Sequence, residues 1–417
     1  MKTRRFRRSV LPALLLFLTG SLLAQQSRVM TGIEVLREQK FQLLQGKRVG
    51  LITNPTGVDS QLRSTIDILN EAPGVKLVAL FGPEHGVRGD HAGGAQVESY
   101  ADPATGIPVY SLYGRTWKPT ADMLRGIDVL VYDIQDIGCR AYTYISTLGL
   151  SMEAAAENNI PFIVLDRPNP LGGKRIEGSL VEKGFTSFVS PYPIPYVYGL
   201  TCGELAKLLN GEGMLTGGLR CNLTVIPMRG WKREMTFAET GLPWVLTSPH
   251  VPCETTPAYE IATGILGELG VISEGVGYTI PFRVFAAEYI DASALAAGMN
   301  KLHLPGVLFR PIIFRPFYGN FQGKELRGVE IHLTDESAVN LMSLQFYFLQ
   351  VHHELYPDRD PLTVAPAGRL ATFDRVLGTD AVRKAFLKRM RYEDIEEYLN
   401  KDLAAFRKTA GNYTLYQ

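Results

Sequence analysis

The sequence predicts an α/β fold: a Rossmann-like, mostly parallel sheet flanked by helices, followed by a smaller C-terminal α+β domain. Over the first half of the chain, short apolar runs alternate with segments of helical periodicity, which is the pattern of βαβ units. These runs are continuously apolar, as expected for strands buried on both faces of a parallel sheet. In the second half of the chain, predicted helices and strands alternate less regularly. We therefore place the Rossmann-like domain at 27–245 and the second domain at 250–417.

The individual elements follow from the spacing of apolar residues. A first strand at 48–53 leads through a turn to a helix in which Leu62, Ile66 and Leu69 recur at intervals of three and four. His352 and His353 fall in a later helix, where adjacent residues do not share a face, and we expect both at the surface. The other predicted strands are 76–81, 107–110, 127–132, 160–165, 222–226 and 329–333, and the other predicted helices are 145–158, 203–209, 381–390 and 393–406.

The N-terminus has the composition of a secretory signal peptide, residues 1–24. Five basic residues precede an apolar run from Val10 to Leu23, and Ala24 stands at the expected cleavage point. The alternative is a short membrane anchor, but the run is shorter than the roughly 20 residues of a spanning helix. We expect an exported protein, periplasmic or secreted, without stable membrane insertion after cleavage.

Composition also bears on partners and cofactors. The formal net charge is +1 and the later basic residues are dispersed, so no nucleic-acid partner is predicted. The turn after the first strand lacks the glycine spacing of a dinucleotide-binding loop, and no cofactor is predicted. The cysteines form no CxxC pair, which argues against a thiolate zinc site, but their disulfide state stays open: Cys139, Cys202, Cys221 and Cys253.

Polar loops follow several of the predicted strands and supply the candidate site. Glu84 and His85 come directly after the strand at 76–81. Parallel strands place their carboxyl ends on one edge of the sheet, where ligands of open α/β sheets bind. The polar side chains that these loops carry include Asn54, Glu84, His85, Arg88, Asp133, Gln135, Asp136, Asp166, Arg167 and Asn169.

Carboxyl groups gathered at one edge can act as acid and base when their surroundings separate their pKa values. Glu84, Asp133, Asp136 and Asp166 are the candidates, and for each Asp a helix cap or a loop hydrogen bond is an equal alternative. His85 can orient Glu84 or transfer a proton, although adjacent side chains on an extended backbone point apart.

A metal-dependent hydrolase is a rival interpretation. It would use His85, Asp90, His91 and Asp133 as ligands. The sequence has no HExxH-type ligand spacing, so no metal is predicted.

The polar loop after the predicted strand at 127–132 leads into the start of a helix that carries Arg140, Tyr142 and Tyr144. An arginine fork binds a carboxylate, and tyrosines present flat faces with a hydroxyl, a combination suited to sugar acids. The alternative is an ion pair from Arg140 to Asp136 with the tyrosines in the core. Glu274, in the second domain, either adds a carboxylate to a cleft or belongs to a surface turn.

Four motifs, in order along the chain, resemble the exo-acting β-N-acetylmuramidases of the NamZ type, glycoside hydrolase family 171. They are GLITNPTG at 50–57, FGPEHGVRG at 81–89, DIQDIG with RAYTY within 133–144, and DRPNP at 166–170. The resemblance implies a catalytic domain without a nucleotide and a cleft between the two domains. It also implies release of N-acetylmuramic acid from the non-reducing ends of peptidoglycan fragments, with Glu84 as the catalytic glutamate. His250 is a departure, because the family pattern leads us to expect Asn there.

The residues and the resemblance together lead to a mechanistic hypothesis. Glu84 is the general acid, Asp133 or Asp136 assists water or the oxocarbenium-like transition state, and Arg140 or Arg167 binds the lactyl carboxylate of muramic acid. A catalytically silent peptidoglycan-binding protein is the alternative, and the stereochemical course stays open. The expected substrate-binding residues are Asn54, Arg88, Gln135, Arg140, Tyr142, Tyr144, Asp166, Arg167, Asn169 and Glu274.

Overall fold

A computed structural model describes residues 28–89 and 99–417. The predicted signal peptide at 1–24 lies outside these ranges. So do Asp90 and His91, two of the ligands in the metal-dependent alternative.

The N-terminal part is built on one seven-stranded sheet with the order β3-β4-β2-β1-β5-β6-β7. Its neighbours pair in parallel except β3 with β4. The chain moves outward from β1 to β2 and β4, then returns to the opposite side of β1 for β5, so the switch point lies between β1 and β5. The strands are β1 Arg48–Thr53, β2 Lys76–Gly82, β3 Tyr100–Ala101, β4 Pro108–Ser111, β5 Val129–Asp133, β6 Phe162–Leu165 and β7 Leu223–Ile226.

Helices cover both faces of this sheet. Along β5, Val129 and Val131 pack into one cluster with residues of α1 and α2, whereas Leu130 and Tyr132 pack into another with residues of α3 and α4. Every residue of β5 is therefore buried, which explains its continuous apolar run. The helices are α1 Gly32–Glu38, α2 Thr65–Glu71, α3 Tyr144–Glu157 and α4 Cys202–Gly211.

The second part contains a three-stranded antiparallel sheet, order β8-β10-β9, and eight helices among its described residues. Its core is separate, with Phe285 stacked on Phe348 at 4.4 Å between ring centroids. The elements are α5 Thr256–Gly267, β8 Val284–Ala287, α6 Ala292–Lys301, β9 Val307–Phe314, β10 Leu326–Leu333, α7 Ser343–Leu355, α8 Pro361–Val364, α9 Ala367–Leu377, α10 Ala381–Phe386, α11 Glu393–Asn400 and α12 Leu403–Ala410.

The C-terminal segment returns to the first sheet. Phe406 and Ala410 of α12 pack into the cluster beneath α3 and α4, and the hydroxyl of Tyr416 donates to Asp166 at the end of β6. The two parts of the chain are thus joined by a long-range contact as well as by the connection before α5.

The structure corrects three predicted details. Leu62 lies outside α2, is 55% exposed and has a positive φ of 63°, because Ser64 caps the helix by accepting from the Ile66 N–H. The helix predicted at 393–406 is two helices, α11 and α12. His352 is buried and not at the surface, because its Nε2 hydrogen-bonds to the Tyr289 hydroxyl at 2.8 Å. Within the described ranges, none of the helices combines the length and apolar character needed to cross a membrane.

Candidate active site

A cavity of about 700 Å³ opens between the two parts of the molecule, and we refer to it as the interdomain cleft. The loop after β2, the beginning of α3 and the segment before α5 supply one side. Helix α5 and loops around the small sheet supply the other. Its lining residues are Glu84, His85, Ala141, Tyr142, Thr143, Tyr144, Ser248, Pro249, His250, Glu260, Glu268, Phe282 and Tyr318.

Glu84 and His85 reach the cleft through a tight turn at the end of β2. The Gly86 N–H donates to the Pro83 carbonyl at 3.0 Å, and His85 has a φ of 73°, in the left-handed region that favours glycine. Such strained non-glycine residues cluster at functional sites. The turn also changes the expected geometry: the backbone is not extended here, and both side chains line one cavity.

Tyr113 contacts Glu84 from the loop after β4. Burial and the negative charge of Glu84 raise the pKa of Tyr113 to about 12, and its hydroxyl hydrogen-bonds to that carboxyl group. A phenol with a raised pKa stays a donor at neutral pH. Tyr113 is therefore a hydrogen-bond donor to the Glu84 carboxyl group.

Tyr142 and Tyr144 line the cleft, as expected for substrate-binding residues, but their hydroxyls also bind protein groups. The Tyr142 hydroxyl donates to Thr247 Oγ1 at 2.7 Å, and the Tyr144 hydroxyl donates to the Thr247 carbonyl. Their rings meet edge to face with centroids 5.0 Å apart. Burial raises the pKa of both hydroxyls, so they remain neutral donors. Both tyrosines are held rigidly with part of their surface toward the cavity.

Asp133 and Arg167 form a buried ion pair and are not among the described residues that line the cleft. The Arg167 side chain donates to the Asp133 carboxylate from Nε and from Nη2, the second at 3.0 Å. Its Nη2 also donates to the Val58 carbonyl. The Thr65 hydroxyl donates to the same carboxylate. The structure thus directs the two groups toward each other, away from the expected roles in assisting water and in binding a lactyl carboxylate.

Asp136 is likewise turned into the protein. It accepts from the Gly138 N–H at 2.8 Å and from the Tyr198 hydroxyl. Burial raises its pKa to about 6, and these hydrogen bonds oppose that shift. Gln135 next to it donates to two backbone carbonyls, those of Asp136 and Pro168. These contacts shape the loop after β5 and do not bring its polar side chains to the cleft.

Arg140 holds the two domains together instead of facing the cleft. Its side chain is fully buried and donates to the carbonyls of Ser179, Ile194 and Val376 at 2.7, 2.7 and 2.9 Å. Burial lowers its pKa to about 10. The buried position of Arg140 is therefore inconsistent with the predicted binding of the lactyl carboxylate of muramic acid by this side chain. The alternative ion pair with Asp136 is also not observed among the described contacts.

The remaining sequence candidates have contacts inside the protein. Asp166 accepts from the Thr201 and Tyr416 hydroxyls and from the Gly203 N–H at the start of α4. Arg88 pairs with Asp102 and Asp67. Asn54 accepts from the Thr56 N–H at 3.0 Å and also hydrogen-bonds the hydroxyl of Tyr144, which lines the cleft. Asn169 accepts from the Leu171 N–H at 2.9 Å. Glu274 packs against the end of α5, where burial raises its pKa to about 7.

Sequence reasoning missed the residues that the second domain contributes. Glu260 lies on α5 and lines the cleft, yet its Oε2 is shielded from solvent and has no hydrogen-bond partner in the described part of the chain. Burial, together with the charges of Asp136 and Glu268, raises its pKa to about 8. The available signal was one carboxyl group within the otherwise apolar helix TPAYEIATGILG.

His250, the departure from the family pattern, also lines the cleft. Its ring lies 5.9 Å from the ring of Tyr318 with an interplanar angle of 17°. Burial and the neighbouring His85 lower its pKa, whereas Glu84 opposes that shift. His85, His250 and Glu84 therefore interact electrostatically across the same cavity.

The structure also bears on metals and disulfides. Across 28–89 and 99–417, no three His, Cys, Asp or Glu side chains are grouped so as to hold a metal ion. The four cysteines are free thiols in the structure and form no disulfide: Cys139, Cys202, Cys221 and Cys253.

Comparisons with known proteins agree with this architecture. Two family models match the chain, exo-β-N-acetylmuramidase NamZ, N-terminal, over 49–255, and exo-β-N-acetylmuramidase NamZ, C-terminal, over 261–416. The peptidoglycan β-N-acetylmuramidase NamZ of Bacillus subtilis (strain 168) is 46% identical over 395 residues, which is 94% of this chain and 92% of that protein.

Two crystal structures of DUF1343 family proteins from Bacteroides fragilis NCTC 9343 have the same fold. One is 57% identical with a TM-score of 0.90, and the other is 29% identical with a TM-score of 0.76. Each comparison covers 94% of this chain and 99% of the other. The chain therefore belongs to the exo-β-N-acetylmuramidase NamZ family.

Proposed function

We propose that this protein is an exo-acting β-N-acetylmuramidase that releases N-acetylmuramic acid from the non-reducing ends of peptidoglycan fragments during cell-wall turnover. The B. subtilis relative is named a peptidoglycan β-N-acetylmuramidase and matches nearly the whole chain. The observation that carries the proposal in this molecule is the position of Glu84. The glutamate of the family motif lies in a cavity large enough for a sugar, beside two rigid tyrosines.

The chemistry of the cleft suits a glycoside. Glycosidases use a pair of carboxyl groups around the glycosidic bond, with a transition state resembling an oxocarbenium ion. Glu84 is the carboxyl group that we assign to this reaction from the first domain. Tyr142 and Tyr144 provide apolar faces against which a pyranose ring packs.

The lactyl carboxylate of muramic acid requires a positive or donating partner. The side chains of Arg140 and Arg167 already bind groups within the protein, including the Ser179 carbonyl and the Asp133 carboxylate respectively. Among the described residues that line the cleft, His85 and His250 carry imidazole rings that can donate an N–H to a carboxylate. We assign them to the lactyl group, in place of the arginines.

The test uses purified mature protein with a 4-nitrophenyl β-N-acetylmuramide and with defined muropeptides. Glu84→Gln is expected to lower kcat/KM by about 10²-fold or more, because it removes a group that acts on the reacting bond. Glu397→Gln, at an exposed position on α11, is the matched control and should leave the rate unchanged. A loss of tenfold or less in Glu84→Gln would contradict the assignment.

The same samples separate the two rival functions. A silent binding protein would retain muropeptides without releasing any product. A metal-dependent hydrolase would lose its activity after exhaustive chelation and regain it when a divalent metal is added.

Export is part of the proposal. The basic and apolar segment at 1–24 supports it, and peptidoglycan lies outside the cytoplasmic membrane. N-terminal sequencing of the protein recovered from the periplasm or medium should begin close after Ala24. Recovery of the uncleaved chain in the cytoplasm would contradict export.

A further inference from the structure

The second carboxyl group of the reaction is not found among the aspartates that follow β5. Asp133 is paired with Arg167, and Asp136 is bound by Tyr198 and the Gly138 N–H. Neither belongs to the described lining of the cleft. A catalytic partner for Glu84 therefore has to come from another element.

Glu260 is the strongest candidate. It comes from α5 in the second domain and lines the same cavity as Glu84. Its Oε2 is buried without a hydrogen-bond partner in the described structure, and no ion pair involves Glu260 there. An ionised carboxylate in this position would be poorly solvated, so the group is held as a neutral carboxylic acid.

The groups around Glu260 favour the same protonation state. Asp136 and Glu268 oppose a further negative charge near it, and burial raises its pKa to about 8. The other titratable groups that interact with it, Cys139, Tyr142 and Tyr196, have raised pKa values themselves and are neutral at pH 7.

We propose that Glu260 is the proton donor to the glycosidic oxygen and that Glu84 is the base that accepts a proton from the attacking water. This inference rests on the proposed function. It replaces the acid role expected for Glu84 from the sequence, because Glu260 is a cleft carboxyl group whose buried Oε2 has no hydrogen-bond partner in the described structure, whereas Glu84 accepts a hydrogen bond from Tyr113. Two carboxyl groups in different surroundings, one buried without a hydrogen-bond partner and the other hydrogen-bonded to a phenol, can take separate acid and base roles.

The proposed step balances as a hydrolysis. Glu260 transfers its proton to the oxygen that links muramic acid to the next sugar, and the C1–O bond breaks with its electron pair remaining on that oxygen. The oxygen of a water molecule bonds to C1, and Glu84 accepts a proton from that water. Exchange with solvent returns Glu84 to its ionised form and Glu260 to its acid form.

Leaving groups of different acidity test the proton donor directly. Glu260→Gln should lose about 10²-fold or more in kcat/KM on the disaccharide of N-acetylmuramic acid and N-acetylglucosamine, whose leaving alcohol needs a proton. On 4-nitrophenyl β-N-acetylmuramide, whose leaving phenolate is stable, the loss should stay below about tenfold. Glu84→Gln should lose activity on both substrates, and Glu397→Gln on neither.

A loss of similar size on both substrates in Glu260→Gln, or a loss below about tenfold on the disaccharide, would overturn the proposal. The unaltered enzyme gives a second test that needs no variant to fold. Its kcat/KM on the disaccharide should fall above pH about 8, the pKa of Glu260, and no such limb should appear with the nitrophenyl substrate. Identical alkaline limbs would count against Glu260. If the unaltered enzyme cleaves neither substrate, the proposed function itself fails.

Discussion

Asp133→Asn distinguishes a structural from a catalytic role for the carboxylate at the end of β5. Asp133 is fully buried, and the Arg167 side chain that pairs with it is only 5% exposed. An asparagine keeps the shape of the side chain but loses the charge and one of the two acceptor oxygens. Arg167 is then left as a buried cation without its counter-ion.

Removing one member of a buried pair typically costs about 3–5 kcal/mol, because the other charge stays desolvated. We expect a loss of that order in the free energy of unfolding, measured from the urea midpoint. Asp128→Asn, at the residue directly before the same strand, is the matched control. Its partner Arg48 is about half exposed, and solvent replaces the lost contact, so the midpoint should not move measurably.

A second comparison isolates the unpaired charge. Asp133→Leu combined with Arg167→Met removes both charges and should recover part of the stability lost in Asp133→Asn. The reasoning would be refuted by an Asp133→Asn protein with an unchanged urea midpoint and a loss of about 10²-fold in kcat. That result would place Asp133 in the chemistry.

Three further predictions concern single groups. The pKa of Glu260 is raised in the folded protein, so its contribution to stability is complete below the ordinary value of 4.5 and is lost as pH rises toward about 8. The Tm of Glu260→Gln should therefore equal that of the unaltered protein at pH 5 and exceed it at pH 9. Equal Tm values at both pH values would contradict a buried acid. Arg140→Lys cannot reach three carbonyls and should cost on the order of 2–4 kcal/mol in urea unfolding without raising KM; the opposite pattern would restore a substrate role. Tyr113→Phe removes the donor to Glu84 and should lower kcat/KM by about 10-fold or more, whereas a loss below threefold would show that the contact is dispensable.

Local patterns were sufficient to predict the sheet and one edge of the site. The continuous apolar runs of β1, β2, β5 and β6 reflect burial on both faces, and their bounds agree with the structure to within two residues at each end. Glu84 could be placed because Gly82 and Pro83 end an apolar strand directly before it. Such signals depend on residues close in sequence.

The orientation of the other loop residues could not be predicted in this way. Asp133, Asp136 and Asp166 all follow strands at the predicted edge, but each accepts hydrogen bonds from groups distant in the chain. Arg140 has the sequence context of a helix start, yet its partners include Val376 of the second domain. Whether such a side chain faces a ligand or the interior depends on donors that only folding brings near.

The sequence by itself determined the fold class, the strand end that carries Glu84 and the family resemblance, because each depends on short contiguous patterns. Only the tertiary structure decided which side chains share the cleft with Glu84. Glu260 belongs to a helix of the other domain, and burial and the charges of Asp136 and Glu268 raise its pKa in the folded protein. Solvation and long-range charge are properties of the assembled cleft and leave almost no signal in the local sequence.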